Sequence, residues 1–141
     1  MNPTGNEDIA KALGIDPSLI EREVQLYRPP TYDKPRKPVD QCQTCKDAGW
    51  IGVMPIVELW IPQSDSESDD KAYISSGDFT SQQFFDIAKK RGMRTLAGHG
   101  ILAAMDGSTS LKEIASKIGG LRDQKDLLVV AINNYDPNWK E

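Results

Sequence analysis

The apolar positions of the chain fall into two periodicities. From residue 6, Ile9, Ala12 and Leu13 follow the i, i+3, i+4 spacing of a helix face, and Gly14 stops it. A second helical start follows at Asp16. Asp16 can cap, Pro17 suits the first helical position, and Ile20, Val24 and Tyr27 share a face. The spacing therefore predicts a helical pair over 1–27. Residues 28–40 change character: Pro29, Pro30, Pro35 and Pro38 stand among Arg28, Lys34, Arg36 and Lys37. Repeated proline removes amide donors and favours extended backbone, so this stretch reads as a basic linker or a strap across a surface.

After a glycine-punctuated knuckle, residues 49–61 are rich in Val, Ile and Trp, which predicts strand. Pro55 puts that strand at an edge or beside a bulge. Residues 63–71 are acidic and serine-rich and read as a solvated loop; they lack the spacing of a calcium loop. Ala72 to Ser75 reads as a short extended piece.

The remainder reads as helical. Thr80 and Gln83 form a capping box before the stripe Phe84, Ile87 and Ala88, which ends near Gly92. A unit follows whose face is either Leu96, His99, Gly100 and Ala103 or Ile101, Ala104 and Met105, closed at Gly107. Ser110 and Glu113 make a second capping box before Leu111, Ile114, Ala115 and Ile118, closed by Gly119 and Gly120. The run Leu127 to Ile132 reads as buried, as strand or short helix. Phe84, Phe85, Leu96, Ile114 and Ile118 are the expected core of this part. The fold class is mainly α with a small β-hairpin or edge-strand element, an α+β chain whose C-terminal part is bundle-like. The divisions are 1–27, 28–40, 41–121 and an apolar segment with tail over 122–141.

Composition narrows the function. The chain has 141 residues, 38% hydrophobic, with a net charge of −4. That allows one modest core or two small subdomains. The acidic balance argues against binding nucleic acid through phosphate neutralisation. No apolar run approaches the roughly 20 residues of a membrane span. The polar, acidic start is unlike a signal or transit peptide. Two cysteines do not make a disulfide framework, and a reducing, cytoplasmic setting is expected.

Several enzyme classes lack their parts. With one histidine, His99, there is no two-histidine metal site. There is no Walker-type G-x-x-x-x-G-K-[ST] loop, no G-x-G-x-x-G after a strand and no G-x-S-x-G elbow. No catalytic or cofactor-binding residue is assigned, and the chain is not expected to be an enzyme. Cys42-x-x-Cys45 can supply two thiolates on one turn, half of a zinc site, and zinc is the one candidate cofactor. Completion would draw on His99, Asp40, Asp47 or a second chain; two free thiols and a redox pair are the alternatives. Glu58 reads as a charged strand end or as a partner for Arg91 or Arg94. Trp50, Trp60, Tyr135 and Trp139 are the candidate interface residues, since large aromatics often anchor interfaces.

The pattern Cys42-x-x-Cys45-x-x-x-Gly49-Trp50-x-Gly52, then Glu58-Leu59, resembles the C-terminal region of the type II secretion and type IV pilus assembly ATPases. Further on, Ala88 to Leu96 resembles the A-x-x-x-G-M-x-T-L of that family. Met105 to Ile114 resembles its D-G-x-x-K-V-x-x-G-x-T-T-x-E-E-V. The likeness runs over about residues 40–118. Trp50 stands where the family has Tyr, and Val53 where it has Arg. The second Cys-x-x-Cys that completes a zinc site in the family is missing, as is the nucleotide-binding core. The resemblance implies a noncatalytic assembly or interaction module. Its partner would be a protein, a hexameric secretion or pilus ATPase or another multiprotein complex. An independent adaptor that has co-opted this domain, and a thiol-redox protein using Cys42 and Cys45, are the alternatives.

Overall fold

The computed structural model describes residues 5–28, 31–62 and 70–136. Among them are six α-helices: α1 (Gly5–Leu13), α2 (Asp70–Ser76), α3 (Ser81–Lys90), α4 (Leu96–Met105), α5 (Leu111–Lys117) and α6 (Lys125–Asn133). Two 3-10 turns, Pro17–Leu19 and Pro38–Asp40, complete the helical content. The fold is mainly α. Its β content among the described residues is a single isolated antiparallel bridge, between Leu59 and Arg94. The β-hairpin or edge strand expected over 49–61 does not form: the backbone bends at Gly49 and Gly52, both with left-handed φ of 82°, and only Leu59 enters a bridge. Backbone contacts divide the chain into two compact units, one of Met1–Ile56 with Ala97–Glu141, the other Val57–Leu96.

The larger unit owns the main core. Ile9, Ala10 and Leu13 of α1, Ala97, Ile101, Ala104 and Met105 of α4, Ile114 of α5, and Leu128 and Ile132 of α6 form one buried cluster with Ile20, Val24 and Leu121. Each fully buried Ile or Leu contributes about 1.5–3 kcal/mol. Helix α1 forms where its apolar spacing predicts. Helix α5 starts where Ser110 accepts the Glu113 N–H at 3.2 Å. The run 127–132 resolves as helix, and only Leu128 and Ile132 are buried while Leu127 and Val130 are exposed.

The second helix expected from Asp16 does not form. Asp16 caps as predicted, accepting the Ser18 N–H at 2.8 Å, and Pro17 opens the turn. The turn ends at Ile20, whose N–H reaches the Pro17 carbonyl at 3.1 Å. Residues 20–28 then carry no helix. Two asparagines from distant helices take over the backbone groups there. Asn6 of α1 accepts the Val24 N–H at 2.8 Å and donates to the Arg22 carbonyl at 2.7 Å. Asn133 of α6 accepts the Glu21 N–H at 3.0 Å and donates to the Leu19 carbonyl at 3.1 Å. Ile20 and Val24 still reach the core, because their side chains can be buried from an extended segment held this way.

The smaller unit is built on α2 and α3. Residues 72–75, expected to be extended, lie inside α2. Asp70, expected in a solvated loop, opens that helix, wholly buried, and pairs with Arg91 at the end of α3. Helix α3 carries the full predicted capping box: Thr80 accepts the Gln83 N–H and the Gln83 side chain accepts the Thr80 N–H at 2.8 Å. It ends in a Schellman turn, with the Met93 N–H on the Ala88 carbonyl at 2.9 Å and the Gly92 N–H on Lys89 at 3.1 Å. That turn needs φ of +86° at Gly92, which a residue with a Cβ adopts only with strain. Ala88 is buried, but Phe84 and Phe85 are only half-buried and Leu96 is exposed. Tyr73, Phe79 and Phe84 stack in series and Trp60 meets Phe84 edge-on, with neighbouring ring centroids 5.0–5.5 Å apart.

Candidate functional site

The cysteine knuckle is a tight, strained turn in the larger unit. Lys46 and Asp47 both adopt left-handed backbone, at φ of 50° and 68°. Asp47 offsets that cost by accepting the Cys42 N–H at 2.8 Å. Arg36 pairs with Asp47 at 3.3 Å and lies over the Tyr32 ring at 4.6 Å. The basic strap is thereby folded onto the knuckle rather than left as a free linker.

Cys42 is exposed, Cys45 is half-buried, and both thiols are free. The Cys45 backbone N–H reaches Cys42 Sγ at 3.5 Å. That hydrogen bond, followed by those from the Cys45 side chain and the Thr44 backbone, holds the Cys42 thiol below its usual range. Donors aimed at sulfur favour thiolate, the form that binds metal and attacks disulfides. No group of three or more His, Cys, Asp or Glu is gathered for a metal among the described residues. The described residues of one chain therefore supply two of the four donors a closed zinc site takes, and do not fit one. His99 lies within α4, between the buried Gly98 and Gly100.

In the smaller unit two stretches far apart in sequence meet. Glu58 Oε1 accepts the N–H of Leu96 at 3.0 Å, and Leu59 bridges to Arg94. Glu58-Leu59 thus lies against Gly92-Met93-Arg94-Thr95-Leu96. Glu58 satisfies the N–H of a residue that opens a helix, where a carboxylate is favoured by charge as well as by hydrogen bonding. The Arg91 partner considered for Glu58 goes to Asp70 instead.

Residues 57–61 turn their aliphatic side chains outward. Glu58 faces Leu96, and Trp60 sits edge-on to Phe84 at 5.0 Å. The alternate positions Val57, Leu59 and Ile61 are 52%, 64% and 71% exposed. Large aliphatics presented to water over three alternate positions make an apolar patch suited to a partner. In the larger unit, Ile51 and Val53 are likewise exposed, at 70% and 99%.

The candidate interface aromatics have different surroundings. Trp50 and Trp60 are half-buried, and neither indole N–H has an acceptor among the described residues. Buried indole N–H groups normally have one. Tyr135 packs on the core of its own unit. The Arg22 guanidinium lies over the ring at 5.3 Å and donates to the Tyr135 carbonyl. Burial first, then the negative charge of Asp106, pushes the Tyr135 phenol above its usual range. Trp139 lies outside the described residues.

Sequence patterns did not point to Asn6 or Asn133 as clamps, because a lone asparagine in a helix carries no local signal of a distant backbone. The outward face of 57–61 was not read from the sequence either, because which side faces the unit depends on Phe84 and Leu96.

Compared with known proteins, the chain matches no family model, no curated protein and no solved structure.

Proposed function

We propose that the chain is a noncatalytic assembly module, similar to the C-terminal domain of a secretion or pilus ATPase, that joins a protein partner along residues 57–61. The outward row Val57, Leu59 and Ile61 carries this reading. Burying those three side chains against a partner removes apolar surface from water. The likeness to the ATPase domain is supported by the contact between Glu58-Leu59 and Gly92–Leu96, which joins two of the motifs that carry the resemblance. The module would touch nucleotide only through its partner.

The test places a photo-crosslinking residue at Leu59 in cells, with the same residue at the exposed Lys117 as control. Capture at position 59 of a Walker-motif motor or of pilus or secretion components, absent at 117, is the expected result. Capture of an unrelated complex would shift the reading to an independent adaptor. Equal capture at both positions, or saturable micromolar ATP binding by the purified chain, would overturn the proposal.

A thiol-redox reading is favoured by one observation, the exposed Cys42 with its sulfur-directed hydrogen bonds.

A further inference from the structure

The larger unit carries an open groove of about 790 Å³ between α1, the segment after Leu26 and the start of α5. Such a volume is in the range that holds small ligands or a few residues of peptide. Its floor is apolar, made by Ala12, Leu26, Leu111 and Ala115. Its rim is basic in a chain of net charge −4: Lys11, Arg28, Lys112 and Arg122 line it against one acid, Asp8. Arg28 already pairs with Asp8. Lys11, Lys112 and Arg122 are exposed and make no ion pair among the described residues.

We infer that this groove binds an acidic peptide segment carrying an aliphatic or aromatic anchor. The anchor enters the apolar floor, and flanking Asp or Glu side chains meet Lys11, Lys112 and Arg122. Charge complementarity selects the partner, because three cations that make no ion pair among the described residues are left to meet an anion at the rim. The apolar floor selects against nucleic acid. A backbone-neutralising site is a long basic stripe on a basic domain, and here a short basic rim surrounds aliphatic side chains on an acidic chain. The site is in the larger unit and its chemistry is charged, so it stands independently of the apolar row at Val57, Leu59 and Ile61.

Fluorescence anisotropy of the full chain tests it, with a labelled peptide of Asp and Glu around a central Leu. The expected result is saturable binding at submillimolar peptide that weakens as salt rises. The double variant Lys11→Glu/Lys112→Glu should weaken it about tenfold or more, and Lys11→Gln/Lys112→Gln by less. Both lysines are exposed, so the fold should survive, and crosslinking at Leu59 should persist in both variants. Binding that ignores the charge reversal, or equal binding of the Lys-for-acid peptide, would overturn the inference. So would displacement by an equal concentration of a short oligonucleotide, or the absence of saturable binding.

Discussion

Asn133 and Glu21 meet across 112 positions of sequence, the carboxamide of one accepting the backbone N–H of the other at 3.0 Å. Together with Asn6 on the opposite side, Asn133 supplies residues 19–24 with the backbone partners that a helix would otherwise have given. Asn6 is the more buried of these hydrogen-bonding sites. Asn6→Ala leaves the Val24 N–H and the Arg22 carbonyl without these partners and should cost about 2–3 kcal/mol in urea unfolding. Asn6→Asp keeps an acceptor for Val24 but turns an oxygen toward the Arg22 carbonyl, so it should not rescue. Asn133→Ala, nearer to solvent, should cost about 1 kcal/mol. Equal stability of Asn6→Ala and the parent chain would show that water replaces both bonds without loss.

Gly5 fixes the same contact from the backbone side. A Cβ there would lie 2.2 Å from the Val24 carbonyl oxygen and 2.9 Å from its carbon. Backbone atoms do not swing aside as a side-chain end does. Gly5→Ala should therefore destabilise the chain by about 1–3 kcal/mol despite the better helix propensity of alanine. Amide exchange at Val24 should accelerate with it, and a stabilised Gly5→Ala chain would contradict the placement of the segment against α1.

The ion pair of Asp70 and Arg91 ties the start of α2 to the end of α3. Asp70 is wholly buried, whereas the Arg91 side chain keeps 30% of its exposure. Removing the arginine takes the positive partner from a buried carboxylate, so Arg91→Met should cost about 3 kcal/mol. The double variant Asp70→Leu/Arg91→Met should recover much of that loss, since it leaves no buried charge behind. Amide exchange within α2 and α3 reports the effect directly. A single variant as stable as the double one would mean that the carboxylate is satisfied without Arg91.

What could be read in the sequence was local. The capping box of Thr80 and Gln83, the cap at Ser110 and the stop at Gly92 each need partners within a few residues, and each is where the pattern placed it. The error at 20–28 is of the opposite kind. Ile20 and Val24 are four apart, which suits a helix face, but they are buried equally well from an extended segment once Asn6 and Asn133 serve its backbone. The strand reading of 49–61 failed because Val, Ile and Trp favour strand only where a neighbouring strand packs and pairs with them, and here only Leu59 finds a bridge. Asp70 looked solvated among acidic neighbours because nothing near it in sequence announces Arg91. The sequence singled out Cys42, Cys45, Trp50 and Trp60, but not the exposed row of Val57, Leu59 and Ile61, whose direction follows from Glu58 and Trp60 engaging Leu96 and Phe84.

Glu58 is expected to act as a capping carboxylate rather than as an ion-pair partner of Arg91. Glu58→Ala removes the acceptor of the Leu96 N–H and should cost about 1 kcal/mol. Glu58→Gln keeps an acceptor and loses the charge, so it should cost a few tenths of that order. The Leu96 amide should exchange faster in Glu58→Ala than in Glu58→Gln. Matching exchange in the two variants and the parent would place the N–H in the hands of another acceptor.

The Cys42 thiol gives the pH-dependent prediction. Its hydrogen bonds from the Cys45 backbone and side chain and from the Thr44 backbone stabilise the thiolate in the folded chain and vanish on unfolding. The folded thiol therefore ionises at lower pH than the unfolded one. Alkylation proceeds through thiolate, so its rate at Cys42 should begin to rise at lower pH in the native chain than in the urea-unfolded chain. By linkage, ionisation of Cys42 favours the folded state: this contribution is fully present above the unfolded thiol's range and is lost as pH falls through the folded one. Cys45→Ala removes one of the side-chain donors but keeps the backbone N–H, the larger cause, so the shift should persist in part. Mass spectrometry of iodoacetamide-treated chain, sampled across pH, separates the two cysteines. Superimposable native and unfolded profiles at Cys42 would remove the physical basis for a reactive thiol, and with it the thiol-redox alternative to an assembly module.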